Sequence, residues 1–240
     1  MCLFLFTYSL LGQDINKYKS ISWRVYNSLN WKDYVDYKSE EWKNMSFKEK
    51  GDLLQIPTIE LQTMSTDELI EASIDSYFAR GIGKFSTINS YYETIYNCFN
   101  GFRELIMRKD VVIKMINHYK VMNLRSESLS QAGLSMKKQV QILEYLIVHP
   151  KVLERFTSDQ FSQLLSILKE KYTEKTNMIS TYSEQDIIPN VYAIARLLEN
   201  KDPQTRLKLH AVDQIDMFLG SGIFLTHETL NQILAISKGL

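Results

Sequence analysis

The sequence predicts an all-α fold, an irregular bundle or stack of antiparallel helical hairpins with about nine to eleven helices. Three observations lead there. Five segments fit the capping box, in which a hydroxyl accepts from the N3 amide and a Glu or Gln reaches back to the cap: Ser46 to Glu49, Ser65 to Glu68, Ser90 to Glu93, Thr157 to Gln160 and Thr181 to Glu184. Apolar residues follow most of them at helical spacing, most clearly Phe161, Leu164, Leu165, Leu168 and Tyr172, at offsets of 3, 4, 7 and 11. No segment between them reads as a strand. No fixed internal period supports a repeat family.

In chain order, Ser46 caps a run through Leu53, Leu54 and Ile56 that Pro57 interrupts, and a further turn or two covers residues 58–64. Ser65 or Thr66 opens a helix to about Arg80, with Asp67 and Glu68 opposing the dipole and Gly81-Ile82-Gly83 closing it. An aromatic-rich helix spans residues 86–97, Asn100-Gly101 breaks it, and a second runs from Phe102 towards Arg108. Asp110 begins a helix through Met122, with His118 on its apolar side. Residues 123–135 are Ser-rich and read as a loop and lobe boundary. Residues 140–148 are apolar on nearly every side, which predicts a central buried helix ending at Pro150. After the amphipathic helix that begins near Phe161, Lys169, Glu170, Lys171, Glu174 and Lys175 read as its solvated end. Three last helices start at about Ser183, Asp202 and Thr226; Asp202-Pro203 is a cap followed by proline at the first helical position.

Composition describes an ordinary folded protein: 240 residues, 45% hydrophobic, 12% aromatic and 23% charged. The 28 basic and 28 acidic residues cancel, which removes the electrostatic footprint of a general nucleic-acid binder. Residues 1–12 are apolar and uncharged, too short for a membrane-spanning helix but like the core and small-residue end of a signal peptide without its basic n-region. The reading is therefore a leader over residues 1–13, an aromatic-rich N-terminal lobe over 14–125 and a C-terminal lobe over 126–240, the two lobes packed as one domain. Cys2 lies in the leader, so Cys98 remains alone and reads as a small core hydrophobe. Trp23, Tyr26, Trp31 and Tyr34, with Trp42 beyond, read as aromatics packed over the helical body rather than a sugar platform.

Assembled chemistry is missing from the sequence. His118, His149, His210 and His227 are scattered without a zinc-ligand spacing, and no paired-cysteine, phosphate-loop or nucleophile-elbow motif occurs. Gly81-Ile82-Gly83-Lys84 lacks the flanking strand of a nucleotide-binding turn. Neither a cofactor nor a metal is expected. A hydrolase would need a carboxylate pair, for which Glu104 and Glu144 are the first candidates, with a salt-bridged or exposed Glu as the simpler reading of each. His210 and Gln214 fall on the stripe of Leu207, Ala211, Ile215 and Phe218 and read as buried structural polarity.

One resemblance is carried by particular residues: Glu49-Lys50 near Gln55-Ile56-Pro57, then Ser65 to Leu69 (Ser-Thr-x-Glu-Leu), then Phe99 to Leu105 (Phe-Asn-Gly-Phe-Arg-Glu-Leu). With them the chain resembles, over residues 22–122, a group of exported all-helical proteins of Bacteroides-type bacteria. The resemblance implies fold and export, and no mechanism. Within it, Asn100, Arg103 and Glu104 invite a functional reading; the simpler one has Arg103 or Arg108 pairing with a carboxylate on a neighbouring helix. The function expected is a non-catalytic binding or structural module of the cell envelope, with a protein or envelope component as partner. A hydrolase built from dispersed carboxylates and His, and a cytosolic helical adaptor, are the alternatives.

Overall fold

A computed structural model describes residues 40–130, 133–223 and 225–240. The expected leader with Cys2 and the aromatic residues Trp23, Tyr26, Trp31 and Tyr34 lie outside them. Among the described residues the secondary structure is helical, with no strand and one isolated bridge, Leu129 to Ser135. The helices are α1 (Glu40–Asn44), α2 (Phe47–Leu53), α3 (Thr58–Thr63), α4 (Thr66–Asp75), a 3₁₀ helix (Ala79–Lys84), α5 (Ile88–Cys98), α6 (Asn100–Met107) and α7 (Val111–Val121). After a loop come α8 (Met136–Leu146), α9 (Pro150–Leu153), α10 (Ser158–Thr176), α11 (Glu184–Lys201), α12 (Pro203–His210), α13 (Ile215–Ser221) and α14 (His227–Lys238). The fourteen α-helices of the described residues exceed the nine to eleven expected because several, such as the five-residue α1 and four-residue α9, are too short to show a hydrophobic period.

Ser46, Ser65 and Thr157 form both halves of their capping boxes. The other two matches shift by a few residues. Thr87, in extended backbone, caps α5 and places Ser90 inside the helix, while Ser183 caps α11 and is answered by Asp186. Asp202 and Thr226 cap α12 and α14 as expected.

Elsewhere the tertiary structure overrides the local signals. Helix α4 stops at Asp75, short of Arg80, because Ser76 turns extended and the Arg80 guanidinium donates to the Asp75 carbonyl at 2.6 Å. Gly81 and Gly83 then lie inside the 3₁₀ helix rather than closing α4. The break between α5 and α6 falls at Phe99, and Asn100-Gly101 starts α6 instead of ending α5. Pro150 opens α9 at its first position, where a missing N–H costs nothing. Pro189 sits inside α11, removing one ladder hydrogen bond there.

Helix α11 is the axis of the fold. Val191 to Ala195 are all fully buried, and the helix packs against α8, α10, α12, α13 and α14. In the N-terminal part, α4 packs on α6, α7 and the 3₁₀ helix. Contacts of α4 with α8, α7 with α10 and α5 with α13 join the two parts, so one hydrophobic core runs from Ile56 to Ile233. None of the described helices is long and apolar enough to cross a membrane.

Candidate functional site

The densest cluster of buried polar chemistry lies where α7, α8, α10 and α11 meet. Glu144 is the one charge in the apolar run of α8, and the axial packing of that helix buries it completely. Its partner is Lys175 of α10, also fully buried, whose Nζ donates to Glu144 Oε1 at 2.7 Å and Oε2 at 2.8 Å. Tyr119 of α7 donates to Glu144 Oε1 at 2.6 Å, and Asn190 of α11 donates to the same oxygen at 3.2 Å. Asn190 Nδ2 also donates to the Tyr119 hydroxyl at 3.0 Å and the Leu168 carbonyl at 3.1 Å. Burial, and then the Glu144 charge, hold the Tyr119 phenol well above its ordinary range.

Lys171, one turn before Lys175, donates to the Met122 carbonyl at the end of α7 and is itself buried. Lys171 and Lys175 thus correct the expectation of a solvated end for α10. The reason is visible in spacing: Leu164, Leu168, Lys171 and Lys175 form one helical stripe, and long amphipathic stems let lysine continue it inward. That stripe was the signal available for a pair the sequence reading missed.

With both oxygens of Glu144 occupied and neither partner exposed, this network joins helices and offers no face to a substrate. Glu104 is not brought to it. It pairs with Arg108 of its own helix at 2.9 Å, one turn away, and Arg108 also donates to the Leu61 carbonyl. Among the described residues Arg103 reaches no carboxylate on a neighbouring helix: its Nη1 donates to the Tyr96 and Asn97 carbonyls at the end of α5, which have no helical donor of their own. Both arginines therefore correct the expected carboxylate pairing.

Gln55 and Ile56 meet Asn100 in space. The Ile56 N–H donates to Asn100 Oδ1 at 2.9 Å, and Asn100 Nδ2 donates back to the Ile56 carbonyl at 2.8 Å. Gln55 Oε1 accepts from the Asn100 N–H at 2.8 Å, and its Nε2 donates to the Cys98 carbonyl at 2.8 Å. Gly101 allows this approach, since a Cβ there would lie 2.6 Å from the Phe99 ring and 2.7 Å from Ile56. Cys98 stands half-buried in the same clasp, its thiol pushed up chiefly by burial.

His210 and Gln214 are exposed, which corrects the expectation of a buried pair. The stripe breaks because α12 ends at His210 and Gln214 takes the left-handed conformation (φ 60°) before α13. His210 Nδ1 lies 2.7 Å from Asp216 Oδ1, and its Nε2 3.6 Å from Glu199. His118 is half-buried on α7, with its imidazole lowered by burial against a weaker pull from Asp67. His227 is exposed on α14. Trp42 is buried edge-on against Tyr77, with centroids 5.3 Å apart. Gly81 to Lys84 lies in the 3₁₀ helix, where the Lys84 ammonium faces the Tyr77 ring at 5.9 Å.

His149 stands apart from these. It is 3% exposed and packs its ring against Tyr92 (4.7 Å), Phe102 (5.1 Å) and Tyr96 (6.4 Å). Beside it an open cleft of about 300 Å³ is bounded by Pro150, Leu153, Glu154, Phe156, Phe161, Arg196 and Asn200. The Arg196 guanidinium there is already paired with Glu199 at 2.6 Å. Among the described residues no group of three or more His, Cys, Asp or Glu is placed to hold a metal ion. The chain matches no protein-family model, no curated protein and no solved structure.

Proposed function

We propose that the protein acts by binding, as a helical interaction or structural module exported to the cell envelope. The observation that carries this reading is the fate of Glu144: the best-placed acid in the sequence is sealed at 0% exposure by Lys175, Tyr119 and Asn190. Polar groups elsewhere are likewise engaged in joining helices, as at Asn100, Gln55 and Arg103.

Exposed apolar side chains offer contacts for a partner. Val121, Leu129 and Ile179 are 77%, 67% and 82% exposed. They project from the end of α7 and from two loops that the Tyr182 hydroxyl ties together by donating to the Leu124 carbonyl at 3.0 Å, while Lys137 of α8 donates to the Thr181 carbonyl at 3.2 Å. Exposed apolar side chains on a fixed frame suit a protein or another envelope component. The signal-peptide-like residues 1–12 and the resemblance described above support export.

Two measurements test the proposal. N-terminal sequencing of protein recovered from the producing cell is expected to begin near residue 13; an intact Met1 in the cytosol would favour the adaptor reading. Capture from envelope extracts with the intact protein is expected to retain a component that the Ile179→Lys variant does not. Absence of any such component, together with turnover of a hydrolase substrate panel, would replace binding with catalysis.

A further inference from the structure

His149 follows the end of α8 and caps the start of α9. Its Nδ1 accepts the Lys151 N–H at 3.2 Å, and its carbonyl accepts the N–H groups of Val152 at 2.8 Å and Leu153 at 3.0 Å. A neutral imidazole that accepts at Nδ1 carries its proton on Nε2. Protonating the ring therefore puts a second N–H on Nδ1, donor against donor, and the bond to Lys151 is lost.

The surroundings do not compensate. From α5, Tyr92 and Tyr96 face the ring; from α6, the uncharged Phe102. From α9 comes Lys151, and from α11 Arg196, itself paired with Glu199. Among the described residues, the two charged side chains that act on the ring are thus both cations. An imidazolium here is a buried charge among aromatic rings, with no carboxylate of the described residues acting on it and without its cap.

We propose that His149 is an acid-sensitive latch: neutral, it holds α9 against the body of the molecule, and protonated, it leaves its pocket and releases that corner. The proposal is independent of whether the protein binds a partner. Burial, with the Lys151 and Arg196 charges adding to it against a weaker pull from the Tyr92 backbone, lowers the imidazole from 6.5 to about 4. A released ring titrates near its ordinary value. The open form therefore takes up protons between pH 6.5 and 4 while the closed form does not, and opening is favoured about 20-fold more at pH 5 than at pH 7.

Hydrogen exchange on the intact protein tests this at named amides. Protection factors of Lys151, Val152 and Leu153 are expected to fall about 20-fold from pH 7 to pH 5, while those within α11 change far less. In His149→Asn, whose side-chain oxygen can cap the same amide without titrating, the pH response should be reduced to less than about threefold. Equal responses in the two proteins would overturn the latch. If the variant does not fold, the native protein decides alone: a His149 ring that titrates near 6.5 by NMR with α9 still protected refutes the proposal. A ring that stays neutral until α9 protection is lost supports it.

Discussion

The clasp at Gln55 and Asn100 and the network at Glu144 and Lys175 solve the same problem, holding helices in register, by opposite means. The clasp is built from uncharged amides reading part-buried backbone: Asn100 takes both the N–H and the C=O of Ile56, and Gln55 answers at the Asn100 N–H and the Cys98 carbonyl. Such bonds are only half-desolvated, and each contributes modestly. The network instead puts a full ion pair at 0% exposure and surrounds it with Tyr119 and Asn190. Its net contribution to stability is small, because desolvation offsets attraction, but removing one partner leaves an unpaired buried charge. The conspicuous string, Phe-Asn-Gly-Phe-Arg-Glu-Leu, thus docks backbone, while the inconspicuous Lys175 governs the centre of the fold.

The sharpest test of this contrast is to remove one member of the ion pair. Lys175→Met is expected to lower stability by about 3–5 kcal/mol in denaturant titrations at pH 7. Adding Glu144→Leu to it should restore at least half of that loss; a double variant no better than the single one would mean that packing, not charge, dominates. In the clasp, Asn100→Ala should cost about 1–3 kcal/mol, since two Ile56 backbone groups lose their partner. Gly101→Ala should cost about 1–2 kcal/mol, the Cβ overlap with Phe99 and Ile56 outweighing the better helix propensity of alanine. A neutral result at both positions would reduce the clasp to surface decoration.

Smaller effects calibrate the scale outside both regions. Ser65→Ala removes the capping box of α4 and should shift the unfolding free energy by about 1 kcal/mol. Glu104→Gln breaks only a half-exposed pair one turn apart on α6 and should change it by less than about 0.5 kcal/mol. A loss at Glu104 as large as that at Lys175 would show that the buried network has no special weight.

The all-helical class, most helix starts and the burial of α8 were legible because they depend on neighbours within one turn. Ser46, Ser65, Thr157, Asp202 and Thr226 cap where the pattern placed them. Helix ends were less legible: α4 stops early because Arg80 and Ser76 satisfy its last turn, and Phe99 rather than Asn100 breaks α5. Glu144 stood out as a charge in an apolar run, yet its partner did not. Lysine at 171 and 175 follows the same spacing as leucine at 164 and 168 but reads as solvated when judged by charge alone. The His210 and Gln214 stripe failed for the converse reason, as a left-handed turn at Gln214 moved it out of one helix.

What the residues determined without help was local: where helices begin, which faces are oily, and that no metal or nucleotide motif is written along the chain. Only the tertiary structure decided that Glu144, Lys175, Tyr119 and Asn190 meet, and that Gln55 finds Asn100. Periodicity fixes direction around one helix axis, whereas meeting depends on how separate axes cross. That crossing is set by the summed packing of the whole core, which no single stretch of sequence contains.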